Sequence, residues 1–236
     1  MSGLGTWVAT SECEAVWQRT LSLPDFDPAM LAYEQSRNDR PAYGLTLVAD
    51  YPLPDEILMG IEPLRRACRQ GLGDAVVLYP DDCLHLTVYS LWRSQATPLS
   101  SELLRRAWLL WLPMIEKIAG QGQPSGLLLR GLSITWNGAV LVCGVANAEY
   151  CHLQGCLSRL PGVATPRDVP PHITIGQLAR PFGSSEMFAA AMTSLQRYAS
   201  EPVGLFRLVR LRMLYYGSRL LDQVLCSVVI PLNSAC

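Results

Sequence analysis

The chain lacks an excess of charge of either sign: 19 lysines and arginines stand against 20 aspartates and glutamates, a formal charge of −1. Long duplex nucleic acid is held largely by counterion release from a basic surface, so that partner is excluded and small or short anionic ligands are favoured. A local basic rim stays open as a reading. Arg197, Arg207, Arg210, Arg212 and Arg219 share a stretch in which Glu201 is the sole acid before Asp222, although a solvated arginine face explains them equally well. A bilayer span is lacking too. The most apolar run, Leu103 to Gly120, is interrupted by Arg105, Arg106, Pro113 and Glu116, and reads as a core-facing helix kinked or broken near Pro113. No membrane partner is expected.

No charged segment followed by an apolar one opens the sequence, so the eight cysteines are expected as reduced thiols in a cytoplasmic protein. A metal-ligand cluster is also missing. Cys143, Cys151, His152 and Cys156 come nearest, but Cys151 to Cys156 is the wrong step for a shared helical face. Neither a metal nor another cofactor is expected.

Histidine is scarce, with three in 236 residues, and two of the three fall in one repeated pattern. His85-Leu86-Thr87-Val88 and His172-Ile173-Thr174-Ile175 both read His, apolar, Thr, apolar. On a strand, alternate side chains point to opposite faces, so each copy sets an imidazole and a hydroxyl on one face and branched aliphatics on the other. One such strand alone is most simply a core histidine with its hydrogen bonds satisfied. The pair has a chance probability on the order of one in a thousand from ordinary residue usage. Packing needs neither residue type twice at the same offset. Two imidazoles and two hydroxyls facing one cleft provide an acid, a base and two donors to a phosphate.

The surrounding order repeats as well. Tyr43 to Ala49 reads as a strand, Asp55 to Gln70 as a helix and Val76 to Tyr79 as an arm before the first motif strand, Leu84 to Leu91. In the second half, Gly126 to Thr135 and Ala139 to Val145 read as strands joined at Asn137-Gly138, a strong hairpin signal. A helix over Glu149 to Leu160, an arm ending in Pro170-Pro171 and the second motif strand, His172 to Leu178, follow. A helix over Ser184 to Ser200 and a hairpin pairing Phe206 to Tyr216 with Gln223 to Ile230 close the chain. The spacing predicts an N-terminal helical extension over residues 1–40, with a helix from Ser11 to Arg19, and a bilobal domain over 41–236 whose first repeat contains His85 and whose second contains His172.

On these motifs and this element order, residues 42 to 232 resemble the two-histidine (2H) phosphoesterases, the bacterial 2'-5' RNA ligase-like and cyclic phosphodiesterase proteins. The segments Leu78 to Leu91 and Val169 to Leu178 carry the likeness. It implies an α+β fold of two pseudo-symmetric lobes, each a mainly antiparallel sheet with helices on its outer face, around a central cleft. It also implies that His85, Thr87, His172 and Thr174 are catalytic. The weak basic character after the second motif, where Gly176-Gln177 precede the first basic residue Arg180, departs from the family pattern and leaves the substrate open.

Beside the motifs, Tyr89 continues the face of His85 and Thr87 by simple alternation, whereas Gly176 stands at the matching place. This predicts an aromatic contact to substrate on one side and room on the other. Arg93 and Arg180 each lie eight residues after their histidine; with Tyr43 and Tyr89 they complete the candidate substrate-binding set. The expected activity is acid–base cleavage, without a metal, of a 2',3'-cyclic or a 2'-5' or 3'-5' phosphodiester, by a monomer acting on a nucleotide or short RNA. A nucleotide-binding protein without turnover would show degenerate motifs. A 2'-5' RNA ligase of the same family runs the reverse reaction, but a tRNA-sized substrate normally needs a positive surface.

Overall fold

The computed structural model describes residues 18–19, 42–94, 97–121, 125–163, 170–218 and 220–232. All but Gln18 and Arg19 of the expected N-terminal extension therefore lies outside the described residues, as does Arg219. Nine strands and four α-helices are described: β1 (Tyr43–Ala49), α1 (Asp55–Leu72), β2 (Val76–Leu78), β3 (Leu86–Ser94), α2 (Ser101–Gln121), β4 (Ser125–Ile134), β5 (Ala139–Ala146), α3 (Ala148–Leu157), β6 (His172–Leu178), α4 (Ser185–Gln196), β7 (Pro202–Leu208), β8 (Arg210–Tyr216) and β9 (Val224–Pro231). Among the described residues no helix is long and apolar enough to cross a membrane.

The strands form one curled antiparallel sheet in the order β7-β4-β5-β6-β3-β1-β8-β9, with β2 added on β6. The order is symmetric about its middle. The two motif strands meet there at a single paired position, Leu86 with Ile173, and each continues outward into its own four-stranded half. The halves are interleaved in sequence: β8 and β9, from the end of the chain, complete the half that holds His85. Helices pack on one face of the sheet, where Leu45, Leu47, Leu86, Val88, Val140, Val142, Ile173 and Ile175 belong to one continuous core. The other face is left for the threonines and histidines.

Local sequence explains most of the elements. In α1, Ile57, Ile61, Leu64, Cys68 and Leu72 recur at three- and four-residue steps and form its buried stripe. Helix α3 starts where the Asn147 side chain accepts the Tyr150 N–H at 2.9 Å, and α4 where the Ser184 side chain accepts the Met187 N–H. The Asn137-Gly138 hairpin is present, with Gly138 at φ 82°, a conformation that glycine adopts without strain.

Two expectations are corrected. Helix α2 runs through Pro113 without ending; proline removes one hydrogen bond, but Trp111, Ile115 and Ala119 form a buried stripe on both sides of it. The expected strand Phe206 to Tyr216 is two strands, β7 at the outer edge of one half and β8 between β1 and β9 in the other. The chain changes halves at Val209, whose N–H is accepted by the buried Asp50 carboxylate at 3.0 Å, while Arg210 Nε donates to the same carboxylate at 3.0 Å.

Candidate active site

Antiparallel pairing sets the geometry of the four motif side chains. With Leu86 opposite Ile173 and both facing the core, the residues one step out on either side face the other way. His85 then lies across from Thr174, and Thr87 across from His172. Alternation thus puts all four side chains on the face away from the core, and all four residues are half-buried.

Both rings are held alike. His85 Nδ1 lies 2.8 Å from the Cys83 carbonyl and His172 Nδ1 lies 2.8 Å from the Pro170 carbonyl, in each case two residues upstream. A carbonyl only accepts, so Nδ1 carries the hydrogen and Nε2 is the atom left for chemistry. Burial pushes the His85 imidazole below its ordinary pKa; the bond to the Cys83 carbonyl opposes this, and the charges of His172 and Arg93 add to it. The two histidines thus sense each other across the strand junction. Beside them, burial and the charge of Asp82 push the Cys83 thiol up to about 11. It stays protonated at neutral pH and is no nucleophile.

The same fold occurs in solved structures. TT0787 of Thermus thermophilus is 17% identical, with 80% of this chain and 99% of that chain covered and a TM-score of 0.52. ATU0111 of Agrobacterium tumefaciens, described as a conserved protein of unknown function, is 14% identical, with 94% and 99% covered and a TM-score of 0.55. Escherichia coli LigT in complex with 3'-AMP is 19% identical, with 81% and 95% covered and a TM-score of 0.47. No family model and no curated protein sequence matches the chain. The fold is the one this chain shares with TT0787 and ATU0111.

Within this fold, the residues that flank the motifs depart from simple alternation. On β3 the pairs are Thr87 with Val48 and Tyr89 with Leu47, so Val88 is an extra residue, a β-bulge that turns the strand over. Tyr89 therefore faces Leu47 in the core, where it is 5% exposed; it does not share the face of His85. Ser90 takes that place opposite Thr46. On β6 the extra residue is Ile175, and Gly176 pairs with Val140 on the core side. A Cβ on Gly176 would meet the Val77 carbonyl at 2.6 Å, so this glycine lets β2 approach and leaves no room in the cleft. Gln177 takes the outward place, its Nε2 donating to the Asn137 carbonyl at 2.7 Å. Ser90 and Gln177, each five residues after its histidine, were concealed by the bulges. The bulged residue is in each case the one that follows the motif threonine, Val88 before Tyr89 and Ile175 before Gly176.

The remaining candidates separate. Arg93 pairs opposite Gly44, bonds the Ser90 hydroxyl and is felt at His85. Arg180 is exposed past the end of β6, and Tyr43 packs partly buried against the core. Of the proposed rim, Arg210 is tied to Asp50, Arg197 stacks on Tyr198 at 4.8 Å, and Arg212 pairs opposite Val48. His152 Nε2 and Cys156 Sγ are 3.5 Å apart on α3, yet among the described residues no three His, Cys, Asp or Glu side chains gather as a metal site.

Proposed function

We propose that this chain is a phosphodiesterase that cleaves a 2',3'-cyclic or a 2'-5' or 3'-5' phosphodiester in a nucleotide or short RNA end, with His85 and His172 as base and acid. What supports this reading is the strand register, Leu86 opposite Ile173, from which alternation puts each motif histidine across from the other motif's threonine. With the reacting phosphorus between the rings, one neutral Nε2 takes a proton from the attacking water as its oxygen bonds to phosphorus. The other, protonated Nε2 delivers a proton to the departing ribose oxygen as its bond to phosphorus breaks. His85, held below the ordinary imidazole pKa, is the neutral partner near pH 7 and takes the base role in hydrolysis. Thr87 and Thr174 donate hydrogen bonds to the non-bridging oxygens, whose charge rises in the transition state. Both proton transfers are done by imidazoles, so the reaction as written calls for no metal.

The test is turnover of 2',3'-cyclic mononucleotides, 2'-5' and 3'-5' dinucleotides and cyclic oligonucleotides in the presence of chelator, with the product terminus read for each. Cleavage of at least one class, abolished in His85→Ala and in His172→Ala, is expected. Turnover lost to chelator, or retained in either variant, would contradict the mechanism.

A further inference from the structure

The carbonyls that orient the two motif histidines are held in different ways. On the His172 side the carbonyl belongs to Pro170, the first of two consecutive prolines, whose rings restrict the backbone. The next carbonyl, that of Pro171, accepts the Gly144 N–H of β5 at 2.7 Å. On the His85 side the carbonyl belongs to Cys83, the last residue of a single tight helical turn, Asp81–Cys83. Its bonds are the Cys83 N–H to the Pro80 carbonyl at 3.0 Å and the Leu84 N–H to the Asp81 carbonyl at 3.2 Å. One turn of this kind is a weak frame by itself.

Helix α1 reaches this turn with Arg65, whose side chain is 11% exposed. Its Nη1 donates to the Asp81 carboxylate, and its Nη2 donates to the Tyr79 carbonyl at 2.8 Å; Glu62 of the same helix lies 3.8 Å from Nη1. Tyr79 is anchored in turn, its N–H donating at 2.9 Å to the carbonyl of Ile175, the residue after Thr174. Arg65 therefore joins a residue fixed on the second motif strand to the turn that holds the first histidine. The Tyr51 phenol donates to the Asp82 carbonyl at 2.7 Å, so two side chains from outside the turn hold successive residues of it.

We propose that Arg65 is a positioning residue for His85: through Tyr79 and Asp81 it sets the Cys83 carbonyl, which keeps the hydrogen of the ring on Nδ1 and leaves Nε2 for proton transfer. This rests on the reading of His85 as one of the two imidazoles of the reaction. A guanidinium suits the task because its planar fork bonds a carboxylate and a carbonyl at once in fixed relative directions, and bonds from a charged donor are the stronger ones. A lysine at this position brings the charge without the fork. The effect on the reaction passes through the ring, since the bond made by one nitrogen decides which nitrogen carries the hydrogen.

Nitrogen NMR of the imidazoles tests it on the full chain, which has only three histidines to resolve. In the unaltered protein, at a pH where the rings are neutral, His85 and His172 are expected to carry the hydrogen on Nδ1. Arg65→Met is expected to shift His85 toward a mixture of both tautomers while His172 keeps its hydrogen on Nδ1, and Arg65→Lys to recover part of the difference. In the diester assay Arg65→Met should lower kcat on the order of tenfold to a hundredfold with KM within about twofold. A loss of stability alone would leave both tautomers where they are. Asp81→Ala, at an exposed side chain, should shift His85 the same way and replaces Arg65→Met if that variant does not fold. A His85 tautomer unchanged in the folded variants, a change of equal size at His172, or a kcat unaltered where the tautomer has shifted would each overturn the proposal. The two readings fail separately: a tautomer shift confined to His85 in a protein that turns over no diester leaves Arg65 holding the ring and removes the phosphodiesterase, whereas turnover with the tautomer unmoved in Arg65→Met does the reverse.

Discussion

The two halves of the sheet agree at the junction that carries the four motif residues and disagree two strands further out. At the junction, His85 with Thr87 and His172 with Thr174 are related by the symmetric strand order, and both rings are oriented by a carbonyl two residues upstream. Beyond it, the Thr87 row ends in the half-buried Arg212. The Thr174 row ends in Ser133, whose hydroxyl is buried without a hydrogen-bond partner. The bulges follow the same division: one lies on β6, whereas β3 carries a second at Leu91 that keeps Arg93 in the sheet opposite Gly44. On the proposed mechanism, duplication supplies an acid and a base of the same kind, while the flanks of the two halves differ.

The largest effects should be symmetric. His85→Ala and His172→Ala are each expected to lower kcat by about 10³-fold or more, within the range of positioned acid–base groups acting together, and the double variant should be little worse than either. A single variant near the unaltered rate in steady-state assays would break the pairing of the halves. Thr87→Val and Thr174→Val should each cost about 10²-fold in kcat, as for loss of one oxyanion donor; a loss confined to one threonine would show that the phosphate leans on one half.

Asymmetry should appear in the pH profile. Because the His85 pKa is lowered by burial and by the charges of His172 and Arg93, its imidazole stays neutral to more acidic pH than an ordinary one. The acid limb of kcat/KM should therefore fall below about 6.5. Arg93→Gln removes one of the lowering charges and should move that limb upward, a shift that pH–rate measurements would detect; a downward shift would contradict the assignment of His85 as base. The smallest effect is expected at Tyr89. With its side chain in the core, Tyr89→Phe should leave kcat/KM within about twofold of the original, and a selective rise in KM would return this tyrosine to the cleft.

Much of this arrangement can be read from the residues. The shared face of histidine and threonine follows from strand alternation, the β4–β5 hairpin from Asn137-Gly138, and α1 from the spacing of Ile57, Ile61 and Leu64. Alternation fails at Val88 and Ile175, because a bulge is decided by pairing with β1 and β5 and not by the strand's own pattern. For that reason Tyr89 and Gly176 exchange places with Ser90 and Gln177. The passage of the chain between halves at Val209 is equally hidden, since the group that turns it, Asp50, lies far away in sequence.

The most direct measurement is a crystal structure with a bound nucleotide 3'-phosphate. The account predicts one phosphate within hydrogen-bonding distance of Nε2 of both His85 and His172 and of both threonine hydroxyls. A phosphate held by one histidine alone, or bound away from the junction of β3 and β6, would contradict it.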